Sequence, residues 1–263
     1  MIEEKYGPRS PTFAPVAAPL VYLLELAAFL IGERQRFGFA GHGEAFGRWG
    51  WQVYAHKSEN LSGSAYATED IDIARREKLA FPELPEASFL EMLQSTGIPF
   101  VEVPQLDARQ PSTSFKERGR SRFHVDLLVP SAGEDFQVVP VPELQAHATA
   151  LPYLGYLLAD SQMSLLMARE GCCMVRVPLP ERFALHKLMV SQLRANRGGK
   201  SAKDLFQAAV LLAVLGEKHP SAIEEALRRV PLSILGRLQC AAGQVRHLLE
   251  NDHARAWEEL NPE

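Results

Sequence analysis

The sequence has few cysteines, with only three among its 263 residues. An odd count without CxxC spacing excludes a disulfide framework and argues against structural zinc, which favours a reducing cytoplasm. An excess of positive charge is also missing, because the formal net charge is -4. Any contact with nucleic acid would therefore need a local basic patch rather than a global field.

A hydrophobic run long enough to cross a bilayer is missing as well. The most apolar segment, residues 16–31, is shorter than a comfortable span and has Glu25 near its centre. The chain starts with the acidic residues Glu3 and Glu4, where a signal peptide would have positive charge. We therefore predict a buried amphipathic helix for this segment and a cytoplasmic protein without membrane contact.

The distribution of strand and helix patterns predicts an α+β fold. Residues up to about 178 mix strands with helices: 98–104, 121–130, 136–141 and 172–178 have strand character, and 85–97 and 151–171 have helical character. From residue 179 onward only helical periodicity remains, in roughly four segments. We therefore expect two domains, residues 1–178 with the sheet and residues 179–263 as a C-terminal helical bundle.

Three aspartates on two predicted strands are the strongest chemical signal. Asp70 and Asp72, in the segment EDIDIA, are two apart and share one face of a strand. Asp126 lies in the middle of the apolar strand FHVDLLV. If the two strands are neighbours, the three carboxylates form a cluster whose repulsion a divalent cation would relieve, and oxygen ligands favour Mg²⁺ or Mn²⁺. Such a cluster suits in-line phosphoryl or nucleotidyl transfer.

Each of these residues also has a simpler interpretation. A DxD pair at a strand end often faces water, although Asp126 on a second apolar strand weakens that interpretation. Lys187, on an otherwise apolar helix, either extends its charge to solvent or reaches into a cleft to hold a phosphate. Asp204, next to Lys203, either stabilises a helix N-terminus or supports that cleft.

The stretch between residues 37 and 51 is punctuated by glycines. Gly41 and Gly43 could let the backbone approach a triphosphate closely, and tight turns or close helix packing are the alternative. His42, between them, has the character of a loop residue rather than of a metal ligand.

Taken in order, Gly41, the pair Asp70 and Asp72, and Asp126 resemble the DNA polymerase β-type nucleotidyltransferase superfamily. The segments ATEDIDIA, RFHVDLLVP, LPYLGYLL, VPLPERFALHKLMVSQLR and KSAKDLFQAAVLL are similar to an uncharacterised bacterial nucleotidyltransferase family. The blocks PERFALHKL and KDLFQA also resemble nucleotidyltransferase-like toxins of toxin–antitoxin and abortive-infection systems. The resemblance extends from about residue 37 to residue 215.

The resemblance implies a mixed sheet with flanking helices, an NTP substrate and a role for each matched position. The metal-binding and catalytic positions fall on Asp70, Asp72 and Asp126. The nucleotide-binding positions fall on Gly41, His42, Gly43, Lys187, Lys203 and Asp204. One departure is Gly41-His42, where the superfamily has Gly-Ser or Gly-Gly; the N-terminal helical region is also shorter than in the narrower group.

Two functions from different classes follow. The first is a metal-dependent transferase that moves a nucleoside monophosphate from an NTP to a hydroxyl of RNA, a protein or a small molecule. The second is a catalytically weak nucleotide-binding or interaction protein that keeps the fold, as a toxin–antitoxin component with an antitoxin or other protein partner. The intact carboxylates favour the enzyme, and the altered glycine motif favours the binding protein. Phosphoester hydrolysis at a two-metal site is a third hypothesis, but it lacks histidine clusters in the sequence.

Overall fold

The computed structural model describes residues 70–75, 87–119, 123–133, 135–168, 171–193 and 199–261. Its strands are β1 (Asp70–Ala74), β2 (Phe100–Glu102), β3 (Ser114–Glu117), β4 (His124–Pro130), β5 (Gln137–Val141), β6 (Ala146–Leu151), β7 (Ser161–Ala168) and β8 (Gly171–Pro178). Its helices are α1 (Phe89–Gln94), α2 (Leu154–Leu158), α3 (Pro180–Leu193), α4 (Gly199–Lys218), α5 (Ala222–Leu227), α6 (Leu235–Leu249) and α7 (Ala254–Leu260). Two short 3₁₀ turns, Pro142–Leu144 and Leu232–Ile234, complete the described part. No helix in these ranges is both long and apolar enough to cross a membrane.

Strand β4 is the centre of a mixed sheet in the order β2-β3-β4-β6-β5. Strand β1 also pairs with β4, in parallel orientation, while β3 pairs with it antiparallel and β6 parallel. Along β4 the side chains alternate between buried and partly exposed, because successive residues of a strand point to opposite faces. Val125, Leu127 and Val129 are buried, so the sheet has one core face and one more open face.

Two hydrophobic clusters hold the described residues together. The first covers the core face of the sheet, where helix α1 contributes Phe89 and Leu93. The ring of Phe89 meets that of Phe115 edge to face, with centroids 5.1 Å apart. Ser88 caps the N-terminus of helix α1, and its hydroxyl and amide form a capping box with Glu91.

The second cluster joins helix α2 to the C-terminal helices α3 to α7. Helices α4 and α7 come so close together that a Cβ atom at Gly216 would lie 2.7 Å from the backbone nitrogen of Ala256. Only glycine fits this crossing without a backbone shift, because real Cβ contacts are longer than this.

The predicted α+β class, a mixed sheet followed by C-terminal helices, is confirmed. The helix predicted over 151–171 is wrong beyond α2, because residues from Ser161 onward form an antiparallel hairpin with β8. Of the helix predicted over 85–97, the described residues form only the shorter helix α1. Strands β3 and β6 were not predicted, and five helices follow residue 179 in the described ranges where about four were expected.

A buried arginine connects α2 to the neighbouring helices through hydrogen bonds. Arg182 is 4% exposed, and its guanidinium donates to the carbonyl oxygen of Tyr156, at 2.7 Å, and to the carboxylate of Asp160. Arg229 donates to the same Asp160 oxygen from the chain that follows α5, at 2.8 Å. The hydroxyl of Tyr156 donates to the carbonyl oxygen of Ala226 at 3.0 Å, so α2, α3 and α5 share one polar network.

Replacing Arg182 with methionine should lower the free energy of unfolding by about 2–3 kcal/mol, because a buried carbonyl and a carboxylate lose a charged donor. Methionine keeps much of the side-chain volume. The matched control is Arg228→Met, which removes an arginine whose side chain is 66% exposed in a pair with Glu224. We expect that control to change stability by less than about 0.5 kcal/mol in urea unfolding. Equal losses in the two variants would contradict the role of the buried network.

His186, on α3, is a buried ionisable group next to this network. Its desolvation, with the positive charge of Lys187 adding to it, lowers its pKa to about 3, although a hydrogen bond to the backbone of Pro152 opposes the shift. Its Nε2 atom has no hydrogen-bond partner within the described residues. The imidazole is therefore neutral in the folded protein.

This burial predicts acid sensitivity. In the unfolded chain the histidine binds a proton below about pH 6.5, while the native chain does not bind it until about pH 3. Stability should therefore fall as the pH decreases, by about 2 kcal/mol between pH 7 and pH 5 from this group alone. In urea unfolding, His186→Gln should lose about 2 kcal/mol less of its free energy of unfolding between pH 7 and pH 5 than the wild type. The exposed control His247→Gln should lose as much as the wild type. An unchanged pH dependence in His186→Gln would refute the prediction.

Candidate active site

The parallel pairing of β1 with β4 places two of the predicted acids side by side. Asp72 and Asp126 are direct Cα partners in this ladder. Neighbouring strands lie about 4.8 Å apart, and laterally paired residues point to the same face of a sheet. Asp70 pairs with His124, two residues earlier on both strands. Its backbone is part of β1, but its side chain lies outside the described residues.

The surroundings of Asp126 combine burial with an unsatisfied oxygen. The side chain is 25% exposed, and its Oδ2 atom lies 3.6 Å from Nε2 of His124. Its Oδ1 atom is buried and has no hydrogen-bond partner among the described residues. A carboxylate oxygen that is removed from water without a donor is costly, so this atom is a candidate to accept a hydrogen bond or to bind a cation.

Strand β3 adds two polar residues that the sequence interpretation missed. Ser114 is the Cα partner of Asp126, and Lys116 is the Cα partner of His124. Lys116 is exposed and Ser114 is partly exposed, whereas Phe115 between them is buried. The open face around Asp126 therefore carries a hydroxyl and a cation as well as acids. His124 could have been recognised from the sequence, because it precedes Asp126 by two positions on the same strand and therefore shares its face.

The donor set fits a divalent cation liganded by oxygen. Asp72 and Asp126 are adjacent, and the orphaned Oδ1 of Asp126 offers a free ligand position. Among the described side chains, no three His, Cys, Asp or Glu residues form a group that could hold a metal. Asp70, whose side chain is outside that set, is the further acid that β1 carries, two residues before Asp72.

Two of the predicted nucleotide-binding residues of the C-terminal helices are in contact with each other. The Nζ atom of Lys187 on α3 donates to Oδ1 of Asp204 on α4, at 3.0 Å. The Asp204 side chain is only 5% exposed and that of Lys187 is 24% exposed. Lys187 also lies over the ring of Phe183, 5.3 Å from its centroid. Lys203 is partly exposed beside this pair.

These contacts contradict a purely solvent-facing interpretation of Lys187, because its ammonium is committed to a buried carboxylate. The described contacts connect it to α4, and none of them connects it to Asp72 or Asp126. The predicted phosphate-loop residues Gly41, His42 and Gly43 lie outside the described residues.

No curated protein matches this chain significantly. It is similar to a solved structure described as an antigenic nucleotidyltransferase-like protein from Paracoccidioides brasiliensis, at 13% identity, covering 90% of this chain and 92% of that chain with a TM-score of 0.38. A superposition this loose aligns no individual site residue. The profile of the family described as Nucleotidyltransferase matches residues 30–231, which is more than half of the chain. The protein therefore belongs to this nucleotidyltransferase family.

Proposed function

We propose that the protein is a metal-dependent nucleotidyltransferase that moves a nucleoside monophosphate from an NTP to a hydroxyl group. The observation that carries the proposal is the pairing of Asp72 with Asp126 on adjacent parallel strands, in a chain of the nucleotidyltransferase family. Asp70 completes the proposed acid set, with Mg²⁺ or Mn²⁺ as the cation.

In the proposed reaction, the acceptor hydroxyl oxygen forms a bond to the α-phosphorus of the NTP. The bond from that phosphorus to the oxygen bridging to the β-phosphate breaks, and pyrophosphate leaves with the bonding electron pair. The hydroxyl proton passes to a carboxylate of the acid set or to water. A divalent cation held by the aspartates would supply charge neutralisation at the phosphates.

The residues of this chain then have separate tasks. Asp72 and Asp126 place negative charge side by side on the open face, where they would hold the cation. Lys116, on the adjacent strand, and Lys187 are the proposed phosphate-binding cations, and Asp204 fixes the ammonium of Lys187. Gly41, His42 and Gly43 are proposed to contact the triphosphate, and Lys203 is proposed to support Asp204.

The alternative is a nucleotide-binding protein that has lost catalysis and acts through a protein partner, as in a toxin–antitoxin pair. The feature that favours it is the sequence Gly41-His42, which lacks a hydroxyl or a second glycine at that point. Activity measurements on carboxylate variants distinguish the two functions.

Replacing Asp72 or Asp126 with asparagine should reduce nucleotidyl transfer by about 100-fold or more, because the cation is then held poorly. The same should hold for Asp70→Asn. The assay follows label from each α-labelled NTP into RNA, protein and small-molecule acceptors, with Mg²⁺ or Mn²⁺. The exposed Asp252→Asn serves as the charge-matched control and should keep wild-type activity.

The same aspartate-to-asparagine variants should also differ from the wild type in stability, and there the change is not a loss. Removing one of two neighbouring like charges relieves repulsion, so the metal-free variants should melt at or above the wild-type temperature. The Mg²⁺-dependent rise in melting temperature should disappear with them. Metal and nucleotide binding without label on any acceptor would favour the binding-protein alternative.

Replacing Lys187 with glutamine should weaken NTP binding about tenfold if its ammonium contacts the phosphates, since a charge-assisted hydrogen bond is lost. It also removes the Lys187 ammonium from the buried Asp204 carboxylate, so some stability should be lost as well. Asp204→Asn removes the buried charge but keeps the Lys187 ammonium, so a smaller loss of NTP affinity than in Lys187→Gln assigns the difference to the ammonium itself. Calorimetric titration with NTP measures the affinity, and Lys218→Gln is the exposed control. Stability lost with NTP affinity unchanged would show that the pair is structural only.

A further inference from the structure

An open pocket of about 510 Å³ lies between the loop that follows β2 and the edge formed by β5 and β6. Its lining includes Gln105, Arg109, Gln110, Phe136, Gln137 and Thr149. This volume lies within the range of about 300–1,000 Å³ that is typical of small-molecule sites. None of these residues belongs to the proposed acid set or to its phosphate-binding cations.

The loop that forms one wall is held by its own side chains. The hydroxyl of Ser112 donates to the carbonyl oxygen of Val103 at 2.8 Å. Gln105 donates through Nε2 to the hydroxyl of the buried Thr113, at 3.0 Å, and Thr149 donates to the same hydroxyl at 2.8 Å. These bonds connect the loop to β6, so the wall is fixed relative to the sheet.

The lining offers an aromatic ring, side-chain amides and a cation, which are groups that can contact a nucleotide. Phe136 is 56% exposed and supplies an aromatic face, which stacks with any nucleobase. The side-chain amides of Gln110 and Gln137 are exposed, and an amide can donate to and accept from a base edge. Arg109 is exposed, and its guanidinium forms no ion pair with another described residue. Its backbone amide donates to Oδ1 of Asp107 at 3.0 Å.

The strand register places this pocket beside the acids. Thr149 is the Cα partner of Leu128, which follows Asp126 by two residues on β4 and shares its face. Val138, also in the lining, is the Cα partner of Thr149. Lys116, in contrast, pairs with His124, two residues before Asp126. The acid pair therefore lies between a cation on one side and the pocket on the other.

We infer that this pocket binds the nucleotide unit that carries the acceptor hydroxyl, with the base stacked on Phe136 and one phosphate on Arg109. The inference rests on the proposed function, and it makes the acceptor a nucleotide rather than a protein side chain. A single cation suits one phosphate and not the multiple charges of a triphosphate. The acceptor is either a free nucleoside monophosphate or the end of an RNA strand, which offer the same chemistry.

Direct binding measured without NTP tests the inference independently of catalysis. The probes are nucleoside 5′-monophosphates, titrated by calorimetry, and a fluorescein-labelled tetraribonucleotide of mixed sequence, followed by anisotropy. We expect Phe136→Ala to weaken binding about tenfold or more through loss of stacking. Arg109→Gln should weaken it several-fold and reduce its salt dependence. Monophosphates that bind as tightly as the tetranucleotide indicate a small acceptor, whereas binding of the tetranucleotide that is at least tenfold tighter indicates RNA.

Matched controls remove the same groups elsewhere on the surface. Leu232→Ala removes an exposed apolar side chain, and Arg255→Gln removes an exposed cation on α7; both should bind like wild type. Absence of binding in the wild-type protein, or equal losses in variants and controls, would overturn the inference. If transfer depends on Asp72 while Phe136→Ala binds normally, the acceptor site is wrong and the proposed function stands. If no transfer occurs but binding depends on Phe136, the binding site stands and the proposed function fails.

Discussion

The register between β1 and β4 is the constraint on which the candidate site depends. On one face this register buries Ile71 and Ile73 with Val125 and Leu127. On the other face it sets Asp72 beside Asp126. A shift of one residue would move the apolar side chains into water and the acids into the core, so burial of the first set fixes the position of the second. Two carboxylates that repel one another are thus held together by hydrophobic packing on the opposite side of the same strands.

The sequence revealed the strands whose two faces differ most. The alternation of acidic and apolar residues identified β1 and its acids. β4 was identified as an apolar run that ends at proline, in which Asp126 stands out as the acidic residue. β3 is short and begins after a polar loop, so its residues Ser114 and Lys116 were not recognised as neighbours of the acids. The hairpin of β7 and β8 was partly misjudged because leucine and methionine in β7 favour helices, while pairing with another strand decided the outcome. Local periodicity does not show which distant segments pair with one another.

In the C-terminal helices, too, the sequence identified individual residues but not the contacts between them. Lys187 and Asp204 were each selected from the sequence, but their contact across 17 positions depends on how α3 packs against α4. His186, adjacent to Lys187, is instead buried and neutral. One helix thus carries a charged residue with a partner and a neutral one beside it, and the difference comes from tertiary packing. No pattern in the sequence distinguishes the two positions.

The contact at Gly216 bears on how the sequence can change over evolutionary time. A methyl group there would meet the backbone of Ala256, so any substitution requires α4 and α7 to separate and the C-terminal helix to give up part of its packing. Gly236 and Gly243, on α6, have open space where a Cβ would be placed. Homologous chains are therefore free to drift at these two glycines, whereas position 216 can change only together with a compensating shift of α7.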